Sequence, residues 1–353
     1  MPVYLHDIPL PEALSRFRQA LADAGLDGLL GVEEIPLDER AAGRVLAENA
    51  WAGISSPHYH AAAMDGFAVR TADTEGAAPS APRTLIVGPA AEYVDTGDPL
   101  PAWADAVIPV EDIEPLDAAE AITPDVRRPD RIRIRAGTAP WSHVRPMGED
   151  IVATQLILPA GHLLRPADLA ALAAGGMAAL RVARRPRVAV LPTGDELVAV
   201  GRSPRPGEII ELNSMMLAAQ VNGWGGEASR LPITPDDFDQ LCERVSQAAE
   251  YDLVLLNAGS SAGSEDYSSR VIEMLGSVLV HGVAVRPGHP VILGMIRRPE
   301  GATRTSAWTP VIGVPGYPVS AALTGEIFIR PLIRRWLGQQ EPEAATTPAE
   351  LTR

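Results

Sequence analysis

Apolar residues recur at helical spacing near the start of the chain. Leu14, Phe17 and Leu21 share one face between Pro11 and Ala24, with Glu12 in the first turn and Gly25 just past the end. A weaker repeat of the same kind predicts a second helix from Asp38 to Asn49. From Trp51 to about Arg135 the texture shortens to β-type runs: Gly66-Phe67-Ala68-Val69, Thr84-Leu85-Ile86-Val87, Asp105 to Val110 and Arg131-Ile132-Arg133-Ile134, separated by Gly, Pro and Asp clusters. Residues 136–182 read as helical again, centred on Arg165 to Leu172 and stopped at Gly175-Gly176, and the basic run Arg181 to Arg187 reads as a solvated linker.

Beyond the linker the pattern becomes regular. Arg187 to Leu191, Asp252 to Leu256, Val278 to Val285, Val291 to Ile296 and Pro310 to Val314 are strand-like. Asn213 to Gly223, Asp236 to Glu250, Ser268 to Leu275 and Val319 to Leu337 are helix-like. Alternation of strand, turn and helix predicts a three-layer α/β domain with a mostly parallel sheet over 183–338. It is joined by a small mixed β domain over 51–135 and a discontinuous helical linker domain over 1–50 and 136–182. The polar Pro/Thr/Glu-rich segment 339–353 reads as a disordered tail.

Composition then excludes several classes. The 353 residues carry a formal net charge of −15, so the chain lacks the basic footprint of a general nucleic-acid binder. All 30 basic residues are arginine, so any cationic chemistry falls to Arg or His. The single cysteine, Cys242, excludes a disulfide scaffold. No apolar run approaches the roughly 20 residues that span a bilayer, and no signal peptide precedes the first helix, so a cytoplasmic protein without membrane contact is expected. His58 and His60 stand two apart with no third ligand nearby, which argues against zinc.

Open parallel sheets bind ligands beyond the carboxyl ends of their strands, and three strands here end in unusual loops: Thr193-Gly194-Asp195-Glu196, Asn257 to Tyr267, and Pro315-Gly316-Tyr317-Pro318-Val319-Ser320. The second, rich in Gly and Ser before a helix, is either a cradle of backbone N–H groups for an anion or a plain turn. Asp195, Glu196 and Asp266 are either oxygen ligands suited to Mg2+ beside a phosphate or helix caps. Arg286, in Arg286-Pro287-Gly288-His289-Pro290, either holds an oxyanion or decorates a surface turn. Three further acid-bearing turns stand earlier, around Asp65, Asp95-Thr96-Gly97-Asp98 and Gly148-Glu149-Asp150.

The motifs Met64-Asp65-Gly66-Phe67, Thr96-Gly97-Asp98-Pro99, Arg145 with Gly148-Glu149-Asp150, Thr193-Gly194-Asp195-Glu196, the Gly259 to Asp266 loop, Arg286-Pro287-Gly288 and Pro315-Gly316 with Pro318-Val319-Ser320 run in sequence. In that order they resemble the molybdopterin molybdenumtransferases, the bacterial MoeA type related to the gephyrin E domain. The resemblance implies insertion of molybdate into adenylylated molybdopterin, with Mg2+ and release of AMP. It implies that Glu196, Asp236 and Asp266 serve the metal and pterin phosphate, and that Asp65, Thr96 and Asp150 also take part in activity. Pterin-nucleotide and oxyanion binding would fall to Thr193, Gly194, Asp195, Gly259, Ser260, Ser261, Gly263, Arg286, Pro315, Pro318 and Ser320. It further implies a homodimer whose smaller domains face the α/β domain of the second subunit.

The chain departs from the family pattern where lysines are usual. His289 follows Gly288, Gly282 replaces another common lysine, Tyr317 replaces an asparagine, and the Gly/Ser loop reads Ala258-Gly259-Ser260-Ser261-Ala262-Gly263. The family's C-terminal β domain has no counterpart before residue 353. Thinner positive charge around an oxyanion also fits a second reading: a MoeA-like module that holds pterin, molybdate or tungstate without turnover.

Overall fold

The computed structural model describes residues 8–258, 267–299 and 306–340, and its architecture is mixed α/β. The largest element is a six-stranded sheet whose spatial order is Glu227–Arg230, Arg187–Thr193, Leu253–Ala258, Trp308–Val314, Ile292–Arg297, Gly276–His281. The first four strands are mutually parallel. Ile292–Arg297 pairs antiparallel with both its neighbours, so the sheet is mixed, and the expectation of parallel pairing holds only among the first four strands. The reason is connection length. A parallel crossover needs a dozen or more residues and usually a helix, whereas only the segments 282–291 and 298–307 separate these strands from their neighbours.

Both sheet faces are covered, and the strand sequences show why. Val188 and Val190 point to one core, with Phe17, Leu21, Leu217, Val221, Ile333 and Trp336. Ala189 and Leu191 point to the other, with Leu241, Val245, Val271 and Ile272. The helices Asn213–Gly223 and Pro318–Trp336, the latter with a π turn at Gly325–Ile329, therefore cover one face together with Leu10–Asp23, while Phe238–Ala248 and Tyr267–Leu275 cover the other. Trp336 is fully buried, and its indole N–H donates to Leu26 O at 2.8 Å, which pins the N-terminal helix to the C-terminal one.

Residues 51–135 form small antiparallel sheets around Phe67, Val69, Leu85, Ile108, Ile132 and Ile134. Another core joins Ala41, Leu46 and Ala50 to Leu164, Leu172, Leu180 and Val182.

Three local expectations are overturned. The helix expected over Asp38–Asn49 is a short 3-10 turn, Glu39–Ala41, capped by Asp38. Gly43 then takes φ +78°, and Val45 and Leu46 bridge to Leu163 and Val182 as extended chain. Across 136–182 only Pro166–Ala174 is an α-helix. Trp141, His143, Gly148, Thr154 and Gly161 all have positive φ, which a right-handed helix cannot contain. The Arg181–Arg187 linker is partly ordered structure: Ala179–Ala183 pairs with Val32–Pro36, and Arg184 forms a bidentate pair with buried Asp252. Among the described residues no helix is long and apolar enough to cross a membrane.

Candidate functional site

The register of the sheet brings the carboxyl ends of four strands to one rim. Thr193 stands beside Ala258 and Asn257 beside Val314. His281 is paired with Ile292, which lies opposite Gly313, so the 282–291 loop belongs to the same rim.

On one side of this rim the Thr193 turn is tied to the 234–236 segment. Thr193 bridges Thr234, the Gly194 N–H donates to Thr234 O at 3.2 Å, and the Asp236 N–H donates to Asp195 Oδ1 at 3.2 Å. Gly194 has φ +149°, and a Cβ there would meet Glu196 Oε2 at 2.7 Å. The Glu196 carboxylate is folded over that glycine, with Oε1 buried and bonded to no donor. Buried acceptors are normally satisfied, so this oxygen keeps the capacity to accept from a donor or cation.

On the other side, Asn257 is 3% exposed, and its Nδ2 donates to Val314 O at 3.2 Å and to Pro315 O at 3.3 Å. Asn213 Nδ2 donates to Gly316 O at 2.7 Å while its buried Oδ1 has no partner. These two amides fix the Pro315-Gly316 turn. Pro318 opens the helix that carries buried Ser320. Gly288 lies against that helix, its Cβ direction facing Ser320 O and Thr324 Oγ1, which brings the Arg286 loop alongside. Arg286 is exposed, and Tyr317 is 79% exposed.

The rim therefore gathers Thr193, Gly194, Asp195, Glu196, Asp236, Arg286, Pro315, Pro318 and Ser320 from the expected set. Gly259, Ser260, Ser261, Gly263 and Asp266 lie outside the described residues, and among the described ones no group of three or more His, Cys, Asp or Glu converges as a metal site. Sequence reading missed Asn213 and the network beside it, in which buried Glu211 accepts from the Ser214 N–H at 2.7 Å and hydroxyl at 2.6 Å, with Arg230 bonding both side chains. The available signal was a polar pair, Asn213-Ser214, opening a helix that continues with the apolar run Met215 to Ala219.

Asp65, Thr96 and Asp150 stand elsewhere, in turns beside the small antiparallel sheets. The Thr96 hydroxyl and N–H both donate to Asp65 Oδ1, at 2.7 and 2.8 Å. Asp150 is 3.4 Å from Arg145, which also reaches Glu149. The Thr96 hydroxyl first, then its N–H, holds the Asp65 carboxyl below the ordinary carboxylate range. Any stability this bond gives is present above the unfolded carboxylate's pKa and fades as pH falls through the lower folded value. Thr96→Val removes the hydroxyl and keeps the N–H. The Asp65 pKa is then expected to rise, read by NMR titration of its carboxyl carbon, and an unmoved value would show that the hydroxyl bond is not formed.

With this geometry in hand, comparison with known proteins finds two family matches: the "MoeA N-terminal region (domain I and II)" over residues 8–176 and the "Probable molybdopterin binding domain" over residues 189–335. The chain is 35% identical to "Molybdopterin molybdenumtransferase 2" of Mycobacterium tuberculosis, covering 90% of this chain and 78% of that protein. It is 31% identical to "Molybdopterin molybdenumtransferase" of Nostoc sp., covering 84% and 67%. The crystal structure of a "molybdopterin biosynthesis moea protein" from Pyrococcus horikosii superposes with a TM-score of 0.78 at 32% identity, covering 95% of this chain and 81% of that one.

Proposed function

Because the chain belongs to the MoeA family of molybdopterin molybdenumtransferases, we propose that it is a transferase of molybdenum cofactor biosynthesis. Its substrates are adenylylated molybdopterin and molybdate, and AMP is released. The observation that carries this reading is the buried, unpartnered Glu196 Oε1 at a rim where the Thr193, Asn257, Arg286 and Pro315 segments meet.

The bond to be broken is a phosphoanhydride, and such chemistry is done mainly by positioning and charge placement. Arg286 offers a planar fork of donors to an oxyanion, and the Pro315–Ser320 turn, held by Asn257 and Asn213, forms the wall beside it. The acidic side fits Mg2+, which takes one or two carboxylates and completes its shell with water and phosphate oxygens. Glu196 and Asp236 would hold it, with Asp266 as a further candidate. Bound there, Mg2+ would neutralise charge on the phosphate oxygens. On the family resemblance, Asp65, Thr96 and Asp150, which stand in turns apart from the rim, would serve a second subunit's site in a homodimer.

The test is AMP release by the purified protein from adenylylated molybdopterin, with and without molybdate and Mg2+. Release that requires both supports the proposal, and none beyond the molybdate-free control overturns it. The exposed Tyr317 and the Arg286-to-His289 sequence, where the family carries an amide and a second lysine, favour one alternative: tight pterin or oxyanion binding with no AMP formed marks a non-catalytic binding module.

A further inference from the structure

At the amino ends of the Arg187 and Glu227 strands, away from the rim, lies a cavity of about 590 Å3. Five arginines line it, Arg40, Arg44, Arg184, Arg185 and Arg187, with only Glu33 and Glu227 of opposite sign, in a chain whose net charge is −15. Three of the guanidiniums are answered by the chain itself: Arg40 by Asp38, Arg44 by Glu33 and Arg184 by Asp252. Arg185 and Arg187 are exposed and form no ion pair among the described residues. Arg187 lies over the Tyr251 ring at 5.0 Å, which orients its fork without neutralising it. The Arg44 side chain is only 11% exposed, yet its Nε is buried with no acceptor.

We propose that this cavity binds a small anion carrying two adjacent phosphoryl groups, either inorganic diphosphate or a phosphorylated metabolite. Guanidinium forks match phosphate oxygens in pairs and stay charged at any physiological pH. No aliphatic side chain lines the cavity, so an aromatic or apolar ligand gains little there. The walls come from two packed bodies: Glu33, Arg40 and Arg44 beside the core of Leu46 and Leu172, and Arg187 and Glu227 on the six-stranded sheet. A bound anion therefore clamps the two together. This site is independent of the reading given to the rim.

The test is calorimetric titration of the full chain with inorganic pyrophosphate, with the thermal midpoint followed in parallel. Saturable binding and a midpoint that rises with ligand are expected. Arg185→Ala/Arg187→Ala should weaken binding by about tenfold or more, whereas Arg286→Ala should leave this site intact. Arg185→Lys/Arg187→Lys keeps the charge, loses the fork, and should fall between. Because both arginines are exposed, the ligand-free midpoint of the variants should fall by no more than the small loss of the Arg187–Tyr251 contact. No binding at millimolar pyrophosphate would overturn the proposal, and so would binding lost in Arg286→Ala but kept in the Arg185/Arg187 variant.

Discussion

Glu196→Gln is expected to lower AMP release by about 100- to 1000-fold, the range seen when a positioned electrostatic contact is removed from an active site, while the melting temperature stays level or rises. The two halves of this result have one cause. The Glu196 carboxylate is folded over Gly194 with one oxygen buried and unbonded. Leaving such an oxygen unmade costs folding free energy, so a neutral amide of the same shape relieves the folded state. The same oxygen is the acceptor that a bound cation or substrate donor would use. A residue kept for chemistry at the expense of stability gives this opposed pair of readouts, and a residue kept for packing would lower both. Unchanged AMP release, measured beside a normal melt, would remove Glu196 from the proposed machinery.

Asp252→Ala is expected to be the most destabilising single change among the polar residues described, by about 3–5 kcal/mol. Asp252 is 3% exposed and starts the central Leu253 strand. It accepts both terminal nitrogens of Arg184 at 3.0 Å and the Arg187 N–H at 2.7 Å. Burial already pushes the Arg184 guanidinium below its ordinary pKa, and removing the partner leaves that charge with only the Arg185 carbonyl as acceptor and the Arg187 N–H without its carboxylate. Urea midpoints for Asp252→Ala, Arg184→Ala and the double variant separate the parts. The double change should cost less than the sum of the two singles. Strict additivity would mean the pair is not coupled.

Much of the fold is legible in local pattern. Runs such as Gly66–Val69, Arg131–Ile134 and Arg187–Leu191 are strands because β-branched and apolar residues fill them and turn residues bound them. The helix Leu10–Asp23 follows from Phe17 and Leu21 at helical spacing. The segments that misled are those whose apolar residues serve extended chain with helix-like spacing. Ala41, Val45, Leu46 and Ala50 all reach buried positions, yet Gly43 and the bridges to Leu163 and Val182 keep the chain extended. Strand direction at the sheet's far side was carried by loop length rather than by composition. The site was legible where its residues follow strand ends in sequence, as Glu196 and Pro315 do. Asn213 was not, because its partner Gly316 lies a hundred residues away and only the packed sheet brings them together.

Ile8 pairs with Val283, its carbonyl accepting the Ala284 N–H at 2.9 Å, and the helix that follows it packs on the sheet core with Leu293 and Trp336. The face of this helix is thus covered by segments that follow it far along the chain. Until they have been made, Phe17 and Leu21 lack much of their cover, and a nascent chain carrying such a greasy stripe is a natural client for a holding chaperone.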